Sequence, residues 1–456
     1  MDYVQITSKQ RQAMLRAIGA EGIDDLFRPL FGNAPRPAPR PLELPPPLDE
    51  ASLRAHVTRL AGRNTTAREK VCFLGAGAYD HFIPAVVDAL ANKAEFLTAY
   101  SPYQPEASQG ALQAFFEWQT MLCRLTGMDI ASVSLYDGAH ALAEAAMLAI
   151  NATGKQEIIV SQGVHPNYRA VLRARLADLP GVRYTEIPLK DGVVDTMELE
   201  DELEEDTAAV VAQSPNFLGE VERVETIAKF AHANESLMVQ VFNPVSLGLL
   251  KHPGEMDVDV AVGEGQPLGI PLSYGGAYLG MLAAKQQYVR KIPGHIVGQT
   301  RDAAGNRAFC LTLQAREQHV RRERANSNVS TNEGLLALRA AIYLAALGPQ
   351  GLREVAQCCH SKAAYLVNQL ETRGIRRRHP ERPFFNEVLV QLTEPVAKVL
   401  ARADAAGIIA GYAPGVHYPE FADCLLVAVT ERRSRGDIDR LVDVLSGGSG
   451  KGAAAR

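Results

Sequence analysis

No stretch of the 456-residue chain approaches the roughly 20 consecutive apolar residues of a membrane-spanning helix. The opening segment, Met1 to Arg16, lacks both the apolar centre of a secretory signal and the Arg/Ser-rich pattern of a transit peptide. The chain is therefore expected to be soluble and cytoplasmic, with no membrane partner. A dominant charge sign is also missing. Lys and Arg number 47 against 52 Asp and Glu, a formal net charge of −5. That balance argues against a general nucleic-acid binder, whose affinity comes largely from neutralising phosphates. The six cysteines (Cys72, Cys123, Cys310, Cys358, Cys359, Cys424) show no Cys-x-x-Cys spacing and read as buried, reduced thiols. Cys358, Cys359 and His360 are adjacent, but consecutive helical residues point about 100° apart and converge poorly on one ion. No metal is expected.

What is present is an ordinary globular composition, 47% hydrophobic and 22% charged, at a length that outgrows a single core. A short helix is expected over Lys9 to Ile18. Asn33 to Leu48 is rich in proline, and a run such as Pro35-Arg36-Pro37-Ala38-Pro39-Arg40-Pro41 cannot enter a helix or sheet interior. It reads either as an extended arm lying over a surface or as a linker. Glu106 to Leu125 carries Leu112, Phe115, Phe116, Gln119, Leu122 and Leu125 at helical spacing. Asp137-Gly138 reads as an N-cap opening the alanine-rich helix Ala139 to Asn151. Strand-like runs follow at Glu157 to Ser161, Val182 to Ile187, Ala208 to Gln213, Leu237 to Val241 and Val258 to Val262. Helices separate most of them, which predicts a mainly parallel, helix-covered sheet. Two more helices are expected over Gly334 to Leu347 and Leu352 to Leu370. The tail alternates again (Val388 to Leu392, Glu394 to Ala405, Leu425 to Thr430, Ile438 to Leu445) and reads as a smaller α/β domain. The expected division is an N-terminal arm over 1–65, a large domain over 66–330, a small domain over 331–446 and a disordered Gly/Ala/Ser-rich tail over 447–456.

Four motifs invite chemistry. Phe73 to Asp80 offers Gly75-x-Gly77 after an apolar run, but no third glycine follows, and Phe82-Ile83-Pro84 stands where a dinucleotide-binding helix would open. A structural turn is the better reading. Tyr100-Ser101-Pro102-Tyr103-Gln104-Pro105-Glu106 holds two tyrosines on a stiff loop before a helix, which suits either the lining of a binding site or simple packing. Arg316 to Arg324 contains four arginines and two glutamates. It reads as a solvated or interface helix face, with Glu317–Arg321 and His319–Glu323 as i,i+4 pairs. In the alternative, Arg301 and Arg316 hold a carboxylate. Gly263 to Pro271, followed by Tyr274-Gly275-Gly276, is glycine-dense directly after a strand, where an α/β sheet presents either a ligand-facing loop or a plain turn.

Several of these segments resemble the glycine cleavage system P-protein family, and specifically the first (alpha) subunit of its two-subunit form. The resemblance is carried by Phe73 to Pro84, Phe96 to Glu106, Tyr136-Asp137-Gly138-Ala139, Arg316 to Arg322, Ser327-Asn328 and Val429-Thr430-Glu431, and it runs from about Met14 to about Leu445. It implies an α/β, fold-type I pyridoxal-phosphate-dependent transferase architecture like that of aminotransferases. Such a fold has a large domain with a mainly parallel seven-stranded sheet, a smaller C-terminal α/β domain, and active sites at the interface of a dimer.

The resemblance also implies a degenerate site. Aligning Ile270-Pro271 with the Ile-Pro that follows the Schiff-base lysine in the other subunit puts Gln266 in the lysine's place, and an amide is not nucleophilic enough to form an aldimine. The strand ending Val241-Phe242-Asn243 has no acid to keep a pyridine nitrogen protonated; Val241 falls near that place. Lys285 lies past the next apolar run and does not match. At His140 the family has a small hydroxylated residue that would meet a phosphate. The implied role is therefore the non-lysine subunit of an α2β2 P-protein. Its pyridoxal phosphate is held by the partner subunit, its substrate is glycine, and its acceptor is the lipoyl group of the H-protein. This chain would contribute to the interface active site through Tyr100, Tyr103, Gln104, Arg301 and Arg316, with Ser330 and Thr331 placed to meet a phosphate before a helix. Two rivals stay open: a self-sufficient pyridoxal-phosphate decarboxylase or aminotransferase, and a structural or regulatory paralogue.

Overall fold

In the computed structural model, residues 6–32, 43–97, 101–325, 327–330 and 332–448 are described. The proline-rich stretch (33–42), Tyr100, Thr331 and the last residues of the tail (449–456) lie outside them. The chain forms two compact units, Met1–Thr65 and Thr66–Arg456. In the first, α1 (Ser8–Ala17) opens with Thr7, whose hydroxyl accepts from Gln10 N–H while the Gln10 side chain accepts from the Thr7 N–H in return. A second helix, α2 (Glu50–Ala61), is capped by Asp49.

In the second unit the alternation predicts the architecture well. After α3 (Ala85–Ala91) and α4 (Gln109–Thr126) come β1 (Ile130–Ala131), α5 (Gly138–Thr153), β2 (Glu157–Ser161), α6 (Pro166–Leu176), β3 (Arg183–Ile187), β4 (Thr207–Ser214), α7 (Val224–Ala233), β5 (Leu237–Phe242), β6 (Val260–Glu264) and β7 (Gly280–Ala284). The sheet has seven strands in the order β1-β7-β6-β5-β4-β2-β3. All neighbours are parallel except β7, which runs antiparallel to β1 and β6. Its central strands are buried along nearly their whole length, which explains their continuous apolar composition: helices cover both faces. Alternate residues feed opposite cores. Ile159, Val210 and Met238 meet Trp118, Leu122 and Leu125 of α4 on one face. Ile158, Val160, Val211 and Val239 meet Leu142 and Ala145 of α5 and Leu172 and Leu176 of α6 on the other. Each fully buried aliphatic side chain of this kind contributes about 1.5–3 kcal/mol.

The hairpin β8 (Ile296–Arg301) and β9 (Arg307–Thr312) leads into α8, only Gln318–Arg321. The helix over 316–324 expected from sequence is thus cut to one turn. Arg322 adopts φ 53° and ends it, so the i,i+4 pairs do not form; Glu317 turns inward to His295 instead. Next comes α9 (Gly334–Glu371), two helical runs merged across a break at Gly348 (φ 63°, ψ 178°) and Pro349, where a left-handed backbone and a missing N–H interrupt the ladder. Its first half packs Ala337, Ala340 and Tyr343 into the main core. Its second half joins Leu366 and Leu370 to a separate core with Val388, Val390, Leu425, Val427 and Leu441. That core lies under the three-stranded antiparallel sheet of β10 (Arg376–Arg377), β11 (Glu387–Gln391) and β12 (Cys424–Ala428), with α10 (Val396–Ala405) and α11 (Arg435–Leu445) beside it. Among the described residues α9 alone is long and apolar enough to cross a membrane, and it does so only across its break, with core-facing residues in both halves.

Candidate functional site

The C-terminal ends of parallel strands are where an open α/β sheet places a ligand. Here β4, β5 and β6 end at a cleft lined by Gln213, Val241, Asn243, Glu264, Tyr79 and His165, with room of only about 30 Å³. That holds a water or two and falls far short of the roughly 300 Å³ of a small-molecule pocket. Three features close it.

The first is Gln266, 2% exposed just after β6. Its amide Oε1 accepts from the Tyr79 N–H at 2.8 Å, and its Nε2 donates to the carbonyls of Tyr79 at 3.0 Å and Ile270 at 2.9 Å. The side chain clamps the 73–84 loop to the loop after β6. The second is Glu264, also buried. One oxygen accepts from Gln266 and Leu279 N–H, both at 2.9 Å, and the other accepts from Gly138 N–H at 3.0 Å, at the start of α5. Burial pushes this carboxyl up to about 7 against the pull of those N–H donors. It takes the helix N-terminus that would otherwise be open to an anion. A Cβ at Gly138 would lie 2.3 Å from the Tyr168 hydroxyl, so the backbone there is closely covered. The third is a buried acid–phenol pair. Tyr79 donates its hydroxyl to Glu387 Oε2 at 2.6 Å, and Ala76 N–H donates to Oε1 at 2.7 Å. Burial raises both groups. Burial also pushes His165 down to about 4. Neutral, it stacks on Tyr168 (4.8 Å between centroids) and pairs through Nε2 with the Ala76 carbonyl at 2.9 Å.

Pyridoxal phosphate does not fit these residues. Gln266, where the resemblance would put the lysine, spends both amide hydrogens and accepts one N–H from the backbone, β5 carries no acid along Leu237–Phe242, and the Glu264 carboxyl already takes the Gly138 N–H at the α5 N-terminus. His140 does not face such a phosphate either. Asp137 accepts from its backbone N–H at 2.7 Å, and its ring lies against Tyr136 (4.5 Å) and near Glu144 (3.7 Å).

The loop bearing Tyr79 is tied down beside the cleft. His81 Nδ1 lies 2.6 Å from Glu431 Oε2, Phe82 N–H donates to Oε1 at 2.6 Å, and Cys359 Sγ of α9 lies 3.4 Å from Oε2. Cys359, Cys358 and His360 point to different places, as adjacent helical residues must: Cys358 is exposed and His360 reaches the Phe385 carbonyl at 3.0 Å. Burial alone would raise Glu431, but the His81 and Phe82 contacts outweigh it and hold the carboxyl down to about 2. A depressed acid contributes stability above its ordinary value of 4.5 and loses that contribution as pH falls toward about 2. Urea titrations of wild type and Glu431→Gln should therefore show a stability gap that is widest near neutrality and narrows below about pH 4.5. A gap that does not change with pH would refute the pairing.

The residues singled out from sequence are dispersed. Tyr103, pushed up to about 12 by burial, donates its hydroxyl to Asn332 Oδ1 at 2.7 Å, and its ring lies 4.6 Å from that of His295. Asn332 Oδ1 also accepts from the Ser134 hydroxyl at 2.7 Å, and its Nδ2 donates to the Ser330 carbonyl at 3.3 Å. Gln104 and Ser330 are exposed. Arg316 is buried, its guanidinium donating to the carbonyls of Ile292 and Gly294. Arg301 is exposed at the far end of the β8–β9 hairpin and donates to the Gly305 carbonyl at 2.6 Å. Five strand residues, roughly 17 Å, separate that end from the one near Arg316, so the two arginines do not clasp one carboxylate. Tyr100 and Thr331 lie outside the described residues. Sequence reasoning missed Glu264, Glu387 and His165. Glu264 stood in the glycine-dense loop and its position at a strand end could have marked it; the other two come from distant segments with no local signal.

The family description "Glycine cleavage system P-protein" matches residues 1–445. A protein of Moorella thermoacetica described as "Probable glycine dehydrogenase (decarboxylating) subunit 1" is 48% identical over 98% of this chain and 99% of its own length. One from Geobacillus kaustophilus with the same description is 46% identical over 98% and 99%. A crystal structure of glycine decarboxylase (P-protein) of the glycine cleavage system, in inhibitor-bound form, superposes with a TM-score of 0.87 at 44% identity, covering 98% of this chain and all of that one. A cysteine desulfurase from Thermococcus onnurineus shares the fold, with a TM-score of 0.62 at 15% identity over 83% of this chain and 94% of its own.

Proposed function

Since the chain belongs to the glycine cleavage system P-protein family, we propose that it is the subunit without the cofactor lysine in an α2β2 complex. That complex decarboxylates glycine and passes the aminomethyl group to the lipoyl group of the H-protein. The observation that carries this reading is the Gln266 clamp: where the resemblance would put a lysine stands an amide held to the backbone by three hydrogen bonds. Pyridoxal phosphate, held by the partner subunit's lysine, supplies the electron sink. No step of the reaction runs through the closed cleft of this chain.

A partner face is supported by apolar side chains left outside. Phe82 is 60% exposed, and Val86 and Leu90, one turn apart on α3, are 43% and 38% exposed. Such residues mark a protein-contact surface more readily than a solvent face. Tyr100, Tyr103, Gln104, Ser330 and Thr331 are the side chains proposed to reach the partner's pocket, with Arg301 acting separately; Arg316, buried on the carbonyls of Ile292 and Gly294, is dropped from that set. A cytoplasmic location goes with this assignment. The self-sufficient alternative is disfavoured by the clamp.

The chain alone and its complex with a lysine-bearing partner should be compared for exchange of bicarbonate with the glycine carboxyl. Exchange is expected only in the complex, and borohydride should fix the cofactor to the partner alone. A label on this chain would sink the proposal, and an inactive complex would favour the structural paralogue. Tyr103→Phe, which removes the bond to Asn332 worth about 1 kcal/mol, should lower turnover of the complex roughly fivefold; an unchanged rate would remove Tyr103 from the site.

A further inference from the structure

Ser214 of β4 and Gln240 of β5 alternate with Gln213 and Val241, which line the closed cleft, so they project from the opposite face of the sheet. There they line a cavity of about 460 Å³, within the roughly 300–1,000 Å³ of small-molecule sites. Gln240 is 1% exposed, yet its Oε1 has no hydrogen-bond partner among the described residues. Buried acceptors are nearly always paired, and one left open on a cavity wall calls for a donor from outside. In the β4–β5 register Gln240 lies opposite Ala212, two residues before Ser214, so Ser214 shares its face. Ser214 Oγ accepts the Glu222 N–H at 3.2 Å and keeps a second lone pair. The Glu222 carboxyl also lines the cavity. These acceptors suit an ammonium.

A second group of lining residues offers donors. Helix α7 opens at Arg223 with no side-chain cap, so its first N–H groups, those of Val224 and Glu225, have no intrahelical partner. Both residues lie on the cavity wall, with the exposed Arg223 beside them. The Glu225 carboxylate is neutralised by Lys251 at 2.6 Å, which leaves Arg223 as the cation for a bound anion. Leu247, Leu250 and Met256 add an apolar wall. We propose that this cavity is a binding site for an aliphatic α-amino acid. The ammonium donates to Gln240 Oε1 and Ser214 Oγ, the carboxylate takes the α7 N-terminus and Arg223, and the side chain packs against the apolar wall. A water or a simple ion meets only one of these demands. The inference does not depend on the function proposed above.

Isothermal titration calorimetry of the full chain with leucine tests it. Leucine should bind saturably, one per chain. Isoamylamine, which lacks the carboxylate, and 4-methylpentanoate, which lacks the ammonium, should each bind about tenfold more weakly or worse. Glycine, with no side chain for the apolar wall, should be weaker by a similar factor. Gln240→Leu removes the acceptor without leaving a buried polar orphan and should weaken leucine about tenfold or more. Arg223→Ala changes an exposed side chain, so it carries the test even if Gln240→Leu fails to fold; it should weaken leucine about fivefold. No saturable binding of leucine up to about 10 mM would overturn the proposal. So would isoamylamine or 4-methylpentanoate binding as tightly as leucine, or an unchanged affinity in Arg223→Ala or in folded Gln240→Leu.

Discussion

Gln266→Lys is expected to give a less stable chain that still binds no pyridoxal phosphate. In the wild type the Gln266 amide both accepts and donates, from the Tyr79 N–H and to the Tyr79 and Ile270 carbonyls. An ammonium can only donate. It could replace the two donations, but the buried Tyr79 N–H would lose its acceptor, at about 1–3 kcal/mol. The ion itself would be desolvated at a site 2% exposed, which adds several kcal/mol. A lysine that donates to two carbonyls is also no nucleophile. Two further obstacles remain in place: Glu264 on the Gly138 N–H and an acid-free β5. Absorbance of the purified variant with added cofactor should therefore show no aldimine band, and its urea midpoint should fall. Only a combined change that also removes the Glu264 carboxylate and places an acid at Val241 addresses all three. If the single substitution gave a borohydride-fixable cofactor, the closed-cleft account would fail.

How much of this was legible in the sequence differs by scale. The strands Glu157–Ser161 and Leu237–Phe242 lie almost where their apolar runs predict them, because burial on both faces leaves a continuous signal that turns interrupt. The Asp137 cap was equally local and is made by one hydrogen bond to His140 N–H. The arginine-rich run misled because alternating charge at helical spacing also arises where a chain turns inward. Nothing in 316–324 announces the break at Arg322 or the distant His295 that draws Glu317 away. For the site, Gln266 and Val241 were readable only by family resemblance. What the amide does there depends on Tyr79, 187 residues away in sequence. Glu387 lies still further from its partner Tyr79, at a separation of 308. Pairings closed over such distances leave no periodicity to read.

Asp80→Ala is expected to be among the most destabilising single changes in the chain. Asp80 is 7% exposed; its Oδ2 lies 2.8 Å from Arg433 Nη2, its other oxygen pairs with Arg432, and its carbonyl accepts from the Thr430 hydroxyl at 2.9 Å. Arg432 is one-third exposed and can turn to solvent, but the Arg433 side chain is only 6% exposed. Removing the carboxylate leaves that guanidinium buried without its counter-charge, a loss of about 3–5 kcal/mol. Against a total of about 5–15 kcal/mol, this should lower Tm by roughly 4–6 °C in a unit of this size. Asp80 also stands between Tyr79 and His81, so the Gln266 clamp and the Glu431 pair depend on the same turn of chain. The cost is attributed to the orphaned charge and not to the lost contact, and that attribution can be tested. Asp80→Ala combined with Arg433→Met should recover a large part of the stability, because an apolar side chain of similar length needs no partner. Calorimetry of the two variants decides it: a double mutant no more stable than Asp80→Ala would mean that the loop's geometry, and not the buried guanidinium, sets the loss.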